Sequence, residues 1–77
     1  MIEFSAHARL MIVERSIDEA WVWRTIDEPD EKTDGTDGNT HYVRSIAERG
    51  GRVLRVVINE RVEPNRIVTV FFDRRLR

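Results

Sequence analysis

HYVRSIAERGGRVLRVVINE, residues 41–60, is the stretch whose reading decides the fold. A run rich in Val, Ile and Leu stands on each side of Gly50-Gly51, and two successive glycines accept the positive φ that a tight hairpin demands. The stretch therefore predicts antiparallel strands over 41–48 and 52–60, joined by a two-residue turn. That register sets Arg49 opposite Arg52, Ala47 opposite Leu54, Ser45 opposite Val56 and Val43 opposite Ile58. One face then carries Val43, Ala47, Leu54, Val56 and Ile58, and suits a covering layer of helices. The other carries Tyr42, Arg44, Ile46, Val53, Arg55 and Val57.

Downstream, Pro64-Asn65 is a turn pair leading into 67–73, a run of β-branched and aromatic residues that reads as a further strand. Upstream, residues 29–40 are acidic and rich in turn signals (Asp34-Gly35, Asp37-Gly38), which predicts a loop or an edge strand closed by a turn. Two helices precede it. Ser5 is placed to cap a helix over 6–15, which holds no Gly or Pro. His7, Met11 and Arg15 recur every four residues with Ala8 and Ile12 alongside. Leu10 and Val13 fall outside that stripe, so the helix is expected to sit between two surfaces. The second helix starts at Asp18, with Ile17 and Val22 at hydrophobic-staple spacing, or at Ser16 with Glu19 closing a capping box. Val22, Trp23 and Ile26 form its apolar stripe, and Pro29 stops it. Trp21 lies on the opposite side and needs a neighbour of its own. The expected fold is α+β: one domain over residues 1–77, two N-terminal helices packed on one face of a three- to four-stranded antiparallel meander.

Composition narrows the function classes. The chain has 77 residues and no cysteine, so neither disulfides nor a Cys-ligated zinc can brace it. With 40% hydrophobic and 35% charged residues it has the balance of a folded domain. There is no apolar run of the roughly 20 residues a membrane span needs, and no basic-then-apolar leader, so no membrane partner and a cytoplasmic location are expected. The net charge of −1 hides a division: residues 1–38 carry ten acids and four bases, residues 39–77 nine arginines and four acids, giving −6 and +5. A basic half favours an anionic partner, unless the acidic half neutralises it within the fold.

On the uncovered sheet face, Arg44 and Arg55 become diagonal neighbours. Carrying the register through Pro64-Asn65 sets Arg74 opposite Arg55. Three arginines beside Tyr42 suit a phosphate backbone with exposed bases, since guanidinium forks bind phosphate and an aromatic ring stacks a base. The alternative is a solvated face whose arginine stems lie over the valines. His7, at a helix start where the dipole disfavours the cation, is a candidate general base, with Arg15 as the group that stabilises developing negative charge. His41 reads as a surface residue. Metal readings fail: Asp30, Lys32 and Asp34 before Gly35 imitate a calcium loop, but Lys32 puts a cation at a ligand position. No cofactor is expected.

Phe4-Ser5-Ala6-His7-Ala8, followed by Glu14-Arg15-Ser16-Ile17, Val22, Ile26 and Pro29, resembles a family of small bacterial domains of unknown function. That family opens with a Ser-x-His-Ala helix, continues with Glu-Arg-Gly-Ile and ends in a strand pair, echoed here by residues 54–58 and 67–71. Its relatives are placed with the RelE/ParE-like and BrnT-like toxin superfamily of toxin–antitoxin systems, many of which cleave messenger RNA without a metal. The resemblance implies a RelE/BrnT-like fold, a toxin-like RNA-binding domain or metal-independent endoribonuclease, RNA and an antitoxin protein as partners, and roles for His7 and Arg15 and, more loosely, Arg55 and Thr69. Three features depart from the pattern: Ser16 stands where Gly is usual, Trp21 and Trp23 replace polar residues, and the acidic loop is long. Trp21 also supports a second expectation, a non-catalytic interaction module or homodimer in which it is buried by a partner.

Overall fold

Ser5 caps the first helix as its position predicts: its hydroxyl oxygen accepts the Ala8 N–H at 3.0 Å and donates to the Val68 carbonyl at 3.1 Å. In the computed structural model, which describes residues 2–76, the elements run β1 (Ile2–Phe4), α1 (Ala6–Glu14), α2 (Glu19–Asp27), β2 (Glu31–Asp34), β3 (Thr40–Ile46), β4 (Arg52–Asn59) and β5 (Asn65–Phe72). The α+β class and the two helices stand as expected. The sheet is larger and mixed: five strands in the order β1-β5-β4-β3-β2, with β1 parallel to β5. The expected three- to four-stranded antiparallel meander is corrected accordingly. Three residues are too few for alternation to betray β1. Residues 31–34 take the edge-strand alternative, every side chain exposed and most of them charged, which blunts the free edge.

The turn between the helices is closed by Ser16 in left-handed backbone, φ 53. Ile17 N–H reaches the Ile12 carbonyl at 2.9 Å and Ser16 N–H the Val13 carbonyl at 3.3 Å, the paired bonds of a Schellman cap. Asp18 then caps α2, accepting from Ala20 N–H at 2.9 Å. The left-handed stop is thus made by a serine rather than a glycine.

The hairpin differs from expectation in a way that relocates the candidate site. Residues Ala47–Arg49 wind into a 3-10 turn, and Gly50 follows in left-handed backbone, so the connection is longer than two residues. Ile46 pairs with Arg52, Arg44 with Leu54, Tyr42 with Val56 and Thr40 with Ile58. Relative to the two-residue turn the register moves by an odd number, which turns every β3 side chain over while leaving β4 in place. Tyr42, Arg44 and Ile46 face the helices; His41, Val43 and Ser45 share the open face with Val53, Arg55 and Val57.

The core lies between the helices and this sheet: Ala8, Ile17 and Val22 against Tyr42, Ile46, Leu54, Val56, Ile58, Ile67 and Val70. Trp23 joins it edge-on to Phe4, ring centroids 5.4 Å apart. α1 is covered on one side only. Leu10 (54% exposed) and Val13 (76%) face outward, so the expectation of a helix between two surfaces does not hold. No helix among the described residues is long and apolar enough to cross a membrane.

Candidate anion-binding cleft

Three separate parts of the fold meet at the hairpin end of the sheet: the end of α1, the β3–β4 connection and the exit of β5. Between them lies a cleft of about 590 Å³, lined by Arg15, Arg49, Arg52 and Arg74 together with Gly50, Gly51, Val53, Phe72 and Asp73. Arg15 is the C-cap of α1, Arg49 ends the 3-10 turn, Arg52 opens β4, and Arg74 follows β5. Among the described residues, none of these four arginines forms an ion pair. Gly50 (φ +67) and Gly51 (φ +83) supply the left-handed backbone of the lip, and a Cβ on Gly50 would meet nothing within 4 Å, so the lip is open.

Arg49 is the most fixed of the four. Its guanidinium carbon sits 5.1 Å from the Phe72 ring centroid and 5.9 Å from that of Trp21, the two rings standing edge-on 6.3 Å apart. A cation held over aromatic faces keeps its charge without a carboxylate to cancel it. Trp21 thereby finds its neighbours within the same chain, in Phe72 and Arg49.

Asp73 forms one wall, and its charge is already engaged. Its side chain is 3% exposed; it accepts from Arg55 Nε at 2.9 Å, from Arg75 Nε at 3.3 Å and from the Arg75 N–H at 3.0 Å. Burial works to raise its pKa, but these donors outweigh burial and hold the carboxyl below the usual aspartate range. Arg55 continues the chain of contacts across the open face, its Nη1 donating to His41 Nδ1 at 2.9 Å. With Nδ1 accepting, the His41 proton resides on Nε2, which faces Asp37 Oδ2 at 3.2 Å. His41 is therefore half-buried in a network rather than the simple surface residue the sequence suggests. Gly35 lies so close beneath the ring that a Cβ there would come within 2.4 Å of Nε2.

The structure divides the residues singled out from sequence. Arg15 and Arg74 come together in the cleft. Arg74 lies beyond β5, since Phe71 takes the position opposite Arg55. Tyr42 and Arg44 are on the helix side: Tyr42 donates to Glu60 at 2.6 Å, and Arg44 Nη1 donates to the Glu28 carbonyl with Asp30 at 3.9 Å. Arg55 faces the other way and is held by Asp73. The single open face carrying Tyr42, Arg44, Arg55 and Arg74 does not exist, because the 3-10 turn inverts β3. His7 is exposed in the first turn of α1 and does not line the cleft; eight residues of helix rise set it roughly 12 Å along the axis from Arg15. Arg49 and Arg52 escaped notice because a two-residue turn makes them merely a facing pair at its base.

Residues 4–72 match the family model described as "Domain of unknown function (DUF4258)", which spans most of the chain, so the chain belongs to that family. No curated protein and no solved structure matches it.

Proposed function

We propose that this member of the DUF4258 family is a toxin-like RNA-binding domain, and that it grips phosphate with Arg15, Arg49, Arg52 and Arg74. The observation that carries the reading is the convergence of four guanidinium groups, none of them ion-paired among the described residues, on one cleft. Guanidinium forks match phosphate oxygens in geometry as well as charge. Gathering like charges that no carboxylate pairs works against folding, and an anionic ligand relieves it. The resemblance of the Ser5-x-His7-Ala8 and Glu14-Arg15 segments to the RelE/ParE-like and BrnT-like toxin superfamily supports the same ligand class.

The proposal is one of binding. Among the cleft-lining residues Asp73 is the sole candidate for accepting a proton, and it is occupied by Arg55 and Arg75. His7 is on the far turn of α1. The alternative of an interaction module loses its main anchor, since Trp21 is packed on Phe72 and Arg49.

Fluorescence anisotropy with a short single-stranded oligoribonucleotide tests this. Affinity should fall linearly on a log–log salt plot with a slope near −2 to −3, about 0.7 for each of three or four neutralised phosphates. Arg49→Glu combined with Arg52→Glu should weaken binding by at least about tenfold, while Arg44→Gln, on the helix side, should leave it unchanged. Undiminished affinity in the double reversal would remove the reading.

A further inference from the structure

The shape of the cleft says more than its sign. A protein that tracks a nucleic-acid strand spreads its cations along a groove, because the strand presents one charge per nucleotide in succession. Here the four cations come from three distant segments and surround a single concave space of about 590 Å³. That is the size of a small-molecule site. Among the described residues Asp73 is the only carboxylate in the lining, and it is compensated by Arg55 and Arg75.

From this we infer that the cleft takes a compact oligophosphate, a terminal di- or triphosphate group, in preference to the internal phosphodiesters of a strand. A triphosphate gathers about four negative charges into one small volume, each phosphate adding at least one. Four guanidiniums around one cavity match that density, whereas the phosphates of a strand are spaced one per nucleotide along it and meet the same cations less compactly. Arg15 and Arg74 approach from α1 and from beyond β5, Arg49 and Arg52 from the hairpin. An oligophosphate there would meet cations from three separate segments, with Gly50-Gly51 in the lining. Arg49, fixed over Phe72 and Trp21, provides the rigid contact, and the exposed Arg15, Arg52 and Arg74 close on it. The same chemistry is carried by the 5′ end of an RNA and by a free nucleoside triphosphate. The inference rests on the phosphate-binding cleft proposed above and names the group it prefers.

Equilibrium binding, read by Trp fluorescence and anisotropy, separates the cases with four probes: inorganic tripolyphosphate, ATP, a short oligoribonucleotide with a 5′-triphosphate, and the same oligoribonucleotide with a 5′-hydroxyl. The triphosphorylated RNA should bind at least about tenfold more tightly than the hydroxyl-ended one, and tripolyphosphate should displace it. Arg52→Gln with Arg74→Gln, both exposed and so compatible with folding, should shrink that preference to less than about twofold, with circular dichroism confirming the fold. Equal affinity for the two RNA ends overturns this inference and leaves the RNA-binding reading intact. Affinity for tripolyphosphate and ATP with none for either RNA supports it, assigns the source to a free nucleotide, and overturns the RNA reading. Failure of all four probes to bind overturns both.

Discussion

Ser16 does work usually given to glycine. An L-residue at φ 53 is strained by its Cβ, and Ser16 is exposed, with no apolar packing to offset the strain. Ser16→Gly should therefore stabilise the fold by about 1 kcal/mol, read as a higher denaturant midpoint at unchanged slope. The capping signals at Ser16 and Asp18 made the place of this stop legible, while the serine concealed its conformation. Tyr42 offers a second check at the same scale. Burial, reinforced by its bond to Glu60, pushes the phenol up to about 12. A raised value means the folded state keeps its proton where the unfolded state has lost it. The contribution is complete below the ordinary value of 10.0 and disappears as pH rises through about 12. Tyr42 is the sole tyrosine, so phenolate absorbance reports it without ambiguity. Its midpoint in the native protein should lie well above that in denaturant.

Elements were legible where local chemistry is strong and obscure where it is short or tertiary. The caps at Ser5 and Asp18, the acidic edge and the β-branched run of β5 follow from sequence pattern. The hairpin pairing does not, because Ala47, Glu48 and Arg49 suit a helical turn as well as a strand end, and choosing the turn rotates β3 by one face. That single choice separates Arg44 from Arg55 and exposes Arg49 to the cleft, so of the residues singled out from sequence only Arg15, expected as a charge-stabilising group, and Arg74 line it. At the end of β5, Asp73 ties Arg55 and Arg75 to the strand exit. Asp73→Ala leaves Arg55 without its carboxylate and should destabilise by about 2–3 kcal/mol in urea unfolding. Arg75, 84% exposed in its side chain, should lose no more than about 0.5 kcal/mol on Arg75→Ala.

Across the whole molecule, the acidic and basic halves of the chain cancel only in part. Arg24 holds Glu48 down to about 2 through a paired hydrogen bond, and hydrogen bonds from Tyr42 and Thr40 likewise hold Glu60 low. Depressed carboxylates lend stability that is complete above their ordinary value of 4.5 and is lost as pH falls toward 2. Urea midpoints should accordingly drop across that window, and Glu48→Gln should flatten the drop. Among the described residues the cleft arginines form no ion pair, so inorganic phosphate should raise the thermal midpoint more than chloride at matched ionic strength; equal effects would argue against a specific anion site. One topological fact reaches further. β5, which follows the other four described strands in chain order, is inserted between β1 and β4, so β1 has no hydrogen-bonded neighbour in the sheet until β5 is made. During synthesis on the ribosome the nascent polypeptide must wait, its apolar surface unburied, until β5 has cleared the exit tunnel, and chaperones have their opportunity in that interval.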